Sequence, residues 1–219
     1  MTLTLFLFIS FIVLHFITAI LVWQVWEKAA ASWRPMLLFF VANFILEVID
    51  AFVPVNTVFV FVKTGLLQAL AAVLLILWQA RVWKVFERRP FWYFIIFGVL
   101  LALWLFESLF FTHPSTGGSY FIVISSFCTT LLAIEMMNRN LPESQQVFWR
   151  NPVFLYCAGL IFHYTLLGLL ELFGGYLKDS GQPALYKTYF FYSSISIFVQ
   201  LLYIRSVLCI PAKDKYYTY

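Results

Sequence analysis

Carboxylates, an amine and an amide occur inside stretches of this sequence that are otherwise apolar. Asn43, Glu47 and Asp50 follow one another at intervals of one helical turn, so they would share one face of a helix. Lys63 lies in the next apolar stretch. Later stretches contain two further carboxylates, those of Glu107 and Glu171. Groups of these types could bind a cation, hold a hydrogen-bonding ligand or exchange protons.

These charges are costly if the apolar stretches cross a membrane. A charge at bilayer depth costs about 2.5–3.5 kcal/mol on insertion scales and is normally turned inward and paired. The four acids outnumber Lys63, so protons, water, His113 of a neighbouring loop, or a cationic or hydrogen-bonding ligand must compensate the rest. In the alternative interpretation, Lys63 neutralises Glu47 or Asp50, and the outermost acid, Glu107, reaches water. The sequence leaves both interpretations open.

The composition places most of the chain in lipid. Of 219 residues, 63% are hydrophobic, 21% aromatic and only 11% charged, and the mean hydropathy is +0.90. A soluble domain of this size cannot bury so much apolar surface. The sequence therefore predicts an integral membrane protein, whose first partner is the lipid bilayer.

The apolar stretches predict an all-α, polytopic protein with seven transmembrane helices. Each stretch is long enough to cross a hydrocarbon core of about 30 Å, which needs about 20 residues. None shows the alternation of a barrel strand, and the first is too long for a secretory signal. The connections are short, so residues 1–219 are expected to form one domain. The predicted spans are Leu3–Trp26, Met36–Val53, Thr57–Val82, Phe91–Phe111, Tyr120–Met137, Val153–Leu177 and Tyr189–Ile210.

The loop charges predict the orientation. Most of the fourteen Lys and Arg residues border loops on one side, and such residues concentrate on the cytoplasmic side. The amino terminus is then outside and the carboxyl terminus inside a bacterial cytoplasmic (inner) membrane. Attraction to anionic lipid explains the net charge of +4 without a nucleic-acid partner. The residues on this basic side are Lys28, Arg34, Arg81, Lys84, Arg88, Arg89, Arg139, Arg150, Arg205, Lys213 and Lys215.

Polar residues at helical spacing extend the candidate pocket into helices 6 and 7. Tyr164 and Glu171 share one stripe of helix 6, and Ser196 and Gln200 share one stripe of helix 7. His163 and His15 lie near mid-span, where a hydrogen-bonded packing role is the usual one, although a proton relay or metal is conceivable. The predicted ligand-binding set is Asn43, Glu47, Asp50, Lys63, Glu107, His163, Tyr164, Glu171, Ser196 and Gln200.

Several enzyme classes lack their motifs in this chain. HExxH, GxSxG and Walker sequences are absent, and no cluster of three histidines with carboxylates accompanies the helices. Helix 7 has no mid-span lysine for a retinal Schiff base. We therefore expect no catalytic residues, no metal and no cofactor, and the chain is not expected to be an enzyme.

Two stretches resemble a known family. "FWRNPVFLYCAGLIFHYTLLGLLELF" (148–173) resembles the sixth helix of the multi-helix membrane input regions that precede the kinase core of some bacterial histidine kinases. "FILEVIDAF" followed by "NTVFVFVKTGLLQALAAVLLI" is similar to their second and third helices. His163–Tyr164 departs from the family's usual Tyr-Phe-Ser. The sequence ends at Tyr219 without a kinase domain, so the resemblance implies a sensor whose output occurs in trans.

The leading hypothesis is a receptor-like membrane sensor with a polar pocket in the outer half of the bundle. A polar or cationic small molecule, or a proton, would shift the balance among the acids and Lys63. A signalling partner would then bind the basic inner loops, residues 81–89 and 139–150. One alternative is a small secondary or proton-coupled transporter that uses the same carboxylates. A second is an intramembrane lipid-modifying enzyme with His163, Tyr164 and Glu171 as its chemistry.

Overall fold

The structure, a computed structural model, describes residues 2–52, 58–110, 119–141, 147–179 and 182–211. Within these ranges, the side chains of residues 2–5, 8, 50–52, 58–64, 174–179, 182–187 and 189 are not described. The statements below refer to the remainder.

Seven of the helices are long and apolar enough to cross a membrane, which confirms the predicted number. Their bounds lie within three residues of the predicted spans, except that α7 begins seven residues earlier than predicted, at Gln182 rather than Tyr189. No β-strand occurs in the described ranges. Short 3-10 turns at Ala31–Trp33 and Phe148–Arg150 precede the second and sixth helices. The orientation of the termini stays a prediction. The helices are α1 Thr2–Trp26, α2 Arg34–Phe52, α3 Val58–Val82, α4 Pro90–Phe110, α5 Tyr120–Asn140, α6 Pro152–Asp179 and α7 Gln182–Leu208.

Six of the helices form a closed ring, and α4 lies outside it. Going round the ring, α1 packs on α2, α2 on α3, α3 on α5, α5 on α6, α6 on α7, and α7 on α1. Helix α4 packs against both α3 and α5, so it covers the seam between them. The most extensive contacts join α5 to α6 and α6 to α7. A side chain at the end of α4 can therefore reach the start of α5 from outside the ring.

Contacts between helix ends define two ends of the bundle. Near the end of α3, the amide of Gln79 accepts a hydrogen bond from the backbone N–H of Met36, at the start of α2, at 2.7 Å. Near the end of α7, the Ser206 hydroxyl donates to the carbonyl of Pro152, at the start of α6, at 2.8 Å. We call this the basic end, because the described Lys and Arg side chains lie here. The opposite end, with Glu107 and Glu171, is the acidic end.

An aromatic cluster fills the core toward the basic end. Phe39, Phe40, Trp83, Tyr156 and Tyr203 are all buried, and their ring centroids lie 5.0 to 6.2 Å apart, mostly edge to face. Such pairs contribute about 0.5–1.5 kcal/mol each beyond the area they bury. The cluster joins α2, α6, α7 and the turn after α3 into one packed unit.

Small residues bring α5 close to α6. A Cβ atom at Gly168 would lie 3.1 Å from the Ser126 side chain, and the hydroxyls of Thr130 and Thr165 are 3.4 Å apart. Close approach of this kind is the usual role of small residues in membrane helices. Ser126 and Gly168 therefore have a packing role. Near the other end of α5, Glu135 and Arg139 form a local ion pair at 2.6 Å.

Helix α3 ends in a turn whose backbone is left-handed. Lys84 has a φ of 60°, and the N–H of Val85 donates to the carbonyl of Ala80 at 2.9 Å, while Lys84 donates to Arg81 at 3.0 Å. This pair of bonds is the Schellman motif, in which glycine is the usual left-handed residue. Here lysine occupies that position, and Val85 is buried behind it.

Candidate functional site

The first turn of α5 binds two carboxylates from two other helices. Glu107, near the end of α4, accepts a hydrogen bond from the N–H of Phe121 at 2.6 Å. Glu171, in α6, accepts one from the N–H of Ser119 at 3.0 Å. Ser119 is itself the N-cap, and its hydroxyl accepts from the N–H of Ile122 at 3.0 Å. Helix N-termini present unpaired N–H groups and a partial positive charge, which stabilise anions.

This arrangement corrects the expectation that Glu107 reaches water. Its residue exposure is only 8%, because α4 lies over the seam between α3 and α5 and turns this side chain toward the start of α5. The compensation comes from backbone N–H groups, which were not among the compensators considered for the acids. Backbone N–H groups at the start of α5 thus stabilise both Glu107 and Glu171.

Glu47 joins the same region from α2. Its carboxylate accepts a hydrogen bond from the Gln68 amide of α3 at 3.1 Å. On α7, the side chain of Tyr192 lies within electrostatic range of both Glu47 and Glu171. Carboxylates from α2 and α6 thus share one electrostatic neighbourhood with a phenol from α7.

Two of the predicted site residues cannot be placed. The backbones of Asp50 and Lys63 belong to α2 and α3, but their side chains lie outside the described residues. The proposed pairing of Lys63 with Glu47 or Asp50 stays a prediction. His113, the loop residue considered as a partner for the acids, also lies outside the described ranges.

His163 and Tyr164 lie beside this neighbourhood on α6. The His163 ring contacts the Tyr164 ring edge to face at 5.0 Å and the Tyr192 ring at 6.0 Å. The side chains of Tyr192 and Ser196 interact, and Ser196 is buried. Three of the predicted residues are thus brought together, and Tyr192 connects them to the acids.

Gln200 contacts His15, for which the sequence favoured a packing role but left a proton relay or a metal open. Its amide nitrogen lies 2.8 Å from Nε2 of His15, and Nδ1 of His15 lies 3.0 Å from the carbonyl of Phe11. The carbonyl can only accept, so Nδ1 carries the proton and Nε2 accepts from Gln200. Both ring nitrogens are satisfied, which supports the packing role expected of His15 and ties α1 to α7.

Asn43 does not reach the acids. Its amide donates to the carbonyl of Phe39 in the same helix at 2.9 Å. This local bond satisfies the amide within α2, since an asparagine inside a membrane helix must find a partner nearby. Asn43 and Glu47 lie on one face of α2, but no hydrogen bond joins them in the described part of the chain.

Three contributors to the site were not singled out from the sequence. Gln68 lies in α3 among small and apolar residues, with no charge near it in sequence to mark it. Ser119 directly precedes an apolar helix, which is a typical N-cap position and was a usable signal. Tyr192 lies one turn before Ser196 on the same stripe of α7, so extending the stripe backwards would have found it.

The site can bind a group that complements acids and hydroxyls. At the acidic end, Glu47, Glu171 and Tyr192 offer oxygen atoms that accept hydrogen bonds, and the Tyr192 hydroxyl can also donate one. The lysines that the sequence places at this end lie outside the described side chains. Among the described residues, no group of three or more His, Cys, Asp and Glu side chains could hold a metal ion. The described groups can form hydrogen bonds and ion pairs with a ligand.

Comparisons with known proteins do not assign the chain to a family. No protein-family model, curated protein or solved structure matches the chain. The resemblance to the input regions of histidine kinases stays a prediction.

Proposed function

We propose that this protein is a receptor-like membrane sensor whose pocket lies at the acidic end and whose output passes to a partner in trans. One observation carries the proposal: Glu107 of α4 and Glu171 of α6 both bind the first turn of α5. Two acids from neighbouring helices thereby hold the start of a third helix. A ligand that competes for one of these acids would change the position of that helix.

The ligand class follows from the groups proposed to line the pocket. Glu47, Glu171 and Tyr192 lie in one neighbourhood, and acceptor oxygens of this kind favour a cationic or hydrogen-bond-donating small molecule, or a proton. The aromatic faces of Tyr192 and His163 add to the attraction for an organic cation. A switch requires that the ligand bind one of two states more tightly. Release of Ser119 from Glu171 on ligand binding would provide that difference.

Helix α5 can carry the change to the basic end. Near its other end, Arg139 donates to the backbone carbonyl of Lys84, in the turn between α3 and α4, at 3.3 Å. A displacement of α5 would therefore move this turn, which belongs to the basic loops at residues 81–89 and 139–150 where we place the partner. The loop charges indicate that the basic end lies on the cytoplasmic side of a bacterial inner membrane and the acidic end on its outer side.

The packing of the basic half favours a sensor over a carrier. A secondary or proton-coupled transporter must open to both sides in turn. The buried aromatic cluster at Phe39, Phe40, Trp83, Tyr156 and Tyr203 would have to separate for the basic end to open. The lipid-modifying enzyme has less support, because within the described residues no hydrogen bond or ion pair joins His163 to Glu171.

Binding is tested with simple cations on purified protein. Thermal unfolding in detergent is measured with methylammonium, tetramethylammonium and spermidine, and with methanol and glycerol as neutral controls. We expect at least one cation to raise the melting temperature of the wild type and to lose this effect in Glu171→Gln. Glu87→Gln, an exposed acid at the basic end, is the matched control and should respond like the wild type. A response that survives Glu171→Gln would contradict the proposed pocket.

Signal transfer is tested separately from binding. Spin labels at Asn138, near the end of α5, and at Lys28, beyond the end of α1, report a distance between two exposed positions of the basic end. The cation that binds best should change this distance in the wild type. An unchanged distance, together with uptake of the cation into proteoliposomes, would favour the transporter.

A further inference from the structure

A groove at the basic end has a charged rim and an apolar floor. It encloses about 530 Å³ between the turn after α3, the start of α4 and the last turns of α5. Arg88, Arg89 and Arg139 lie at the rim, whereas Trp92 and Leu131 belong to the apolar part. The rim of the groove therefore presents positive charge, and its apolar floor runs along α4 and α5 toward the hydrocarbon core of the membrane.

The rim has an excess of positive charge. Glu135 is the acid that lines the groove, and it is paired with Arg139 at 2.6 Å. Glu87, in the adjoining turn, is paired with Lys84 at 3.6 Å. In the described part of the chain, neither Arg88 nor Arg89 takes part in an ion pair. Two guanidinium groups are thus left to bind an anion.

The backbone that carries these arginines is held in place. The left-handed turn at Lys84 (φ 60°) reverses the chain after α3, and Arg139 of α5 donates to the Lys84 carbonyl at 3.3 Å. The N–H of Arg89 donates to Phe86 at 3.0 Å, and that of Trp92 to Arg89 at 3.2 Å. The groove is therefore largely formed before any ligand enters, which reduces the cost of binding.

We infer that this groove binds an anionic phospholipid, with its phosphate headgroup on Arg88 and Arg89 and an acyl chain along the apolar floor. Guanidinium groups suit phosphate because they donate in a planar fork. Tryptophan at a membrane boundary, as at Trp92, marks the level of the headgroups. Basic pockets between membrane helices are known to select anionic headgroups. An inorganic phosphate ion or an acidic segment of a protein would use the rim but leave the floor unused.

The test measures lipid binding to the purified full-length chain in detergent. Dioleoyl phosphatidylglycerol, dioleoyl phosphatidylcholine, inorganic phosphate and polyglutamate are added separately, and melting temperature and bound lipid by native mass spectrometry are recorded. We expect phosphatidylglycerol to bind and to raise the melting temperature, and the other three not to. Arg88→Gln and Arg89→Gln should each weaken phosphatidylglycerol binding about fivefold.

Matched variants separate the groove from general attraction to charge. The double variant Arg88→Gln/Arg89→Gln is compared with the double variant Lys28→Gln/Arg34→Gln. The second removes the same charge from the same end but outside the groove, and it should leave lipid binding unchanged. Leu131→Gln, in the floor, should weaken phosphatidylglycerol binding without changing the melting temperature of the lipid-free protein, because Leu131 is exposed. Equal losses in the two charge-removing pairs would overturn the inference. A stronger effect of phosphate or polyglutamate than of the lipid would overturn it in favour of those ligands.

Discussion

The carboxylate of Glu107 accepts a hydrogen bond from the backbone N–H of Phe121 at 2.6 Å, which ties the end of α4 to the first turn of α5. Helix α4 is otherwise peripheral, since it packs on the outside of the seam between α3 and α5. The bond is buried, so its loss would leave a polar group without water. This contact explains how a carboxylate can be stable at membrane depth without a lysine.

We expect Glu107→Ala to destabilise the protein by about 1.5–3 kcal/mol, the usual contribution of a hydrogen bond to a charged group. Glu107→Gln keeps an acceptor oxygen but loses the interaction of the charge with the helix dipole, so its cost should be only about 0.3–1 kcal/mol. Denaturant unfolding in detergent measures both. Equal losses would mean that the neutral acceptor oxygen of Gln contributes nothing and that the charge accounts for the whole effect. No loss in Glu107→Ala would exclude the bond as a stabilising contact.

Gly159→Ala should destabilise the core by about 1–3 kcal/mol, the usual cost of overpacking. An added Cβ would overlap the ring of Tyr203, which is buried against Phe39 and Phe40. Gly98→Ala is the control, because nothing lies within 4 Å of its added Cβ. It should be neutral or gain up to about 1 kcal/mol from helix propensity. The melting temperatures of the two variants, compared with that of the wild type, test this prediction.

Gln79→Met should cost about 1–3 kcal/mol for each buried backbone group that it leaves unpaired. The Gln79 amide, which is fully buried, accepts from the N–H of Met36 at 2.7 Å and donates to the carbonyl of Ser32 at 2.9 Å. Gln24→Met, at an exposed position of α1, controls for the change of residue type. If both variants melted at the wild-type temperature, Gln79 would not be what holds the start of α2.

The contact between His15 and Gln200 should appear as coupling in a double-mutant cycle. We expect His15→Phe and Gln200→Leu each to destabilise the protein, and the double variant to lose less than the sum by about 0.6–1.7 kcal/mol. The reason is that each single variant leaves the other polar group buried without its partner. Strict additivity would show that the 2.8 Å contact does not contribute to stability.

Lys84→Gly should be more stable than Lys84→Ala by about 1 kcal/mol. The backbone of residue 84 is left-handed, with a φ of 60°, a conformation that costs residues with a Cβ about 1–2 kcal/mol. Both variants lose the exposed contact to Glu87, so the difference isolates the backbone. Thermal unfolding measures it, and a lower stability of the glycine variant would contradict the left-handed turn.

Membrane helices are the part of this protein that local sequence determines. A run of about 20 apolar residues satisfies the lipid and its own backbone regardless of its neighbours. The number of helices was predictable for this reason, and so were their bounds, apart from the polar first turns of α7 that precede the apolar run. Contacts between residues one turn apart, such as Glu135 with Arg139, were predictable for the same reason. The N-cap at Ser119 is also a local signal.

The partners of the buried acids depended on which helices are neighbours. In sequence, Glu171 is 52 residues from Ser119 and Gln200 is 185 residues from His15, and an apolar pattern does not reveal which helices meet. Charge counting alone therefore suggested that the acids lack compensation, since it omits the N–H groups at the start of a helix. The packing of α4 and α6 around the first turn of α5 decided that backbone N–H groups would stabilise Glu107 and Glu171. Hydrogen bonds require the two heavy atoms to lie within about 3 Å of each other, and only the tertiary structure sets such distances.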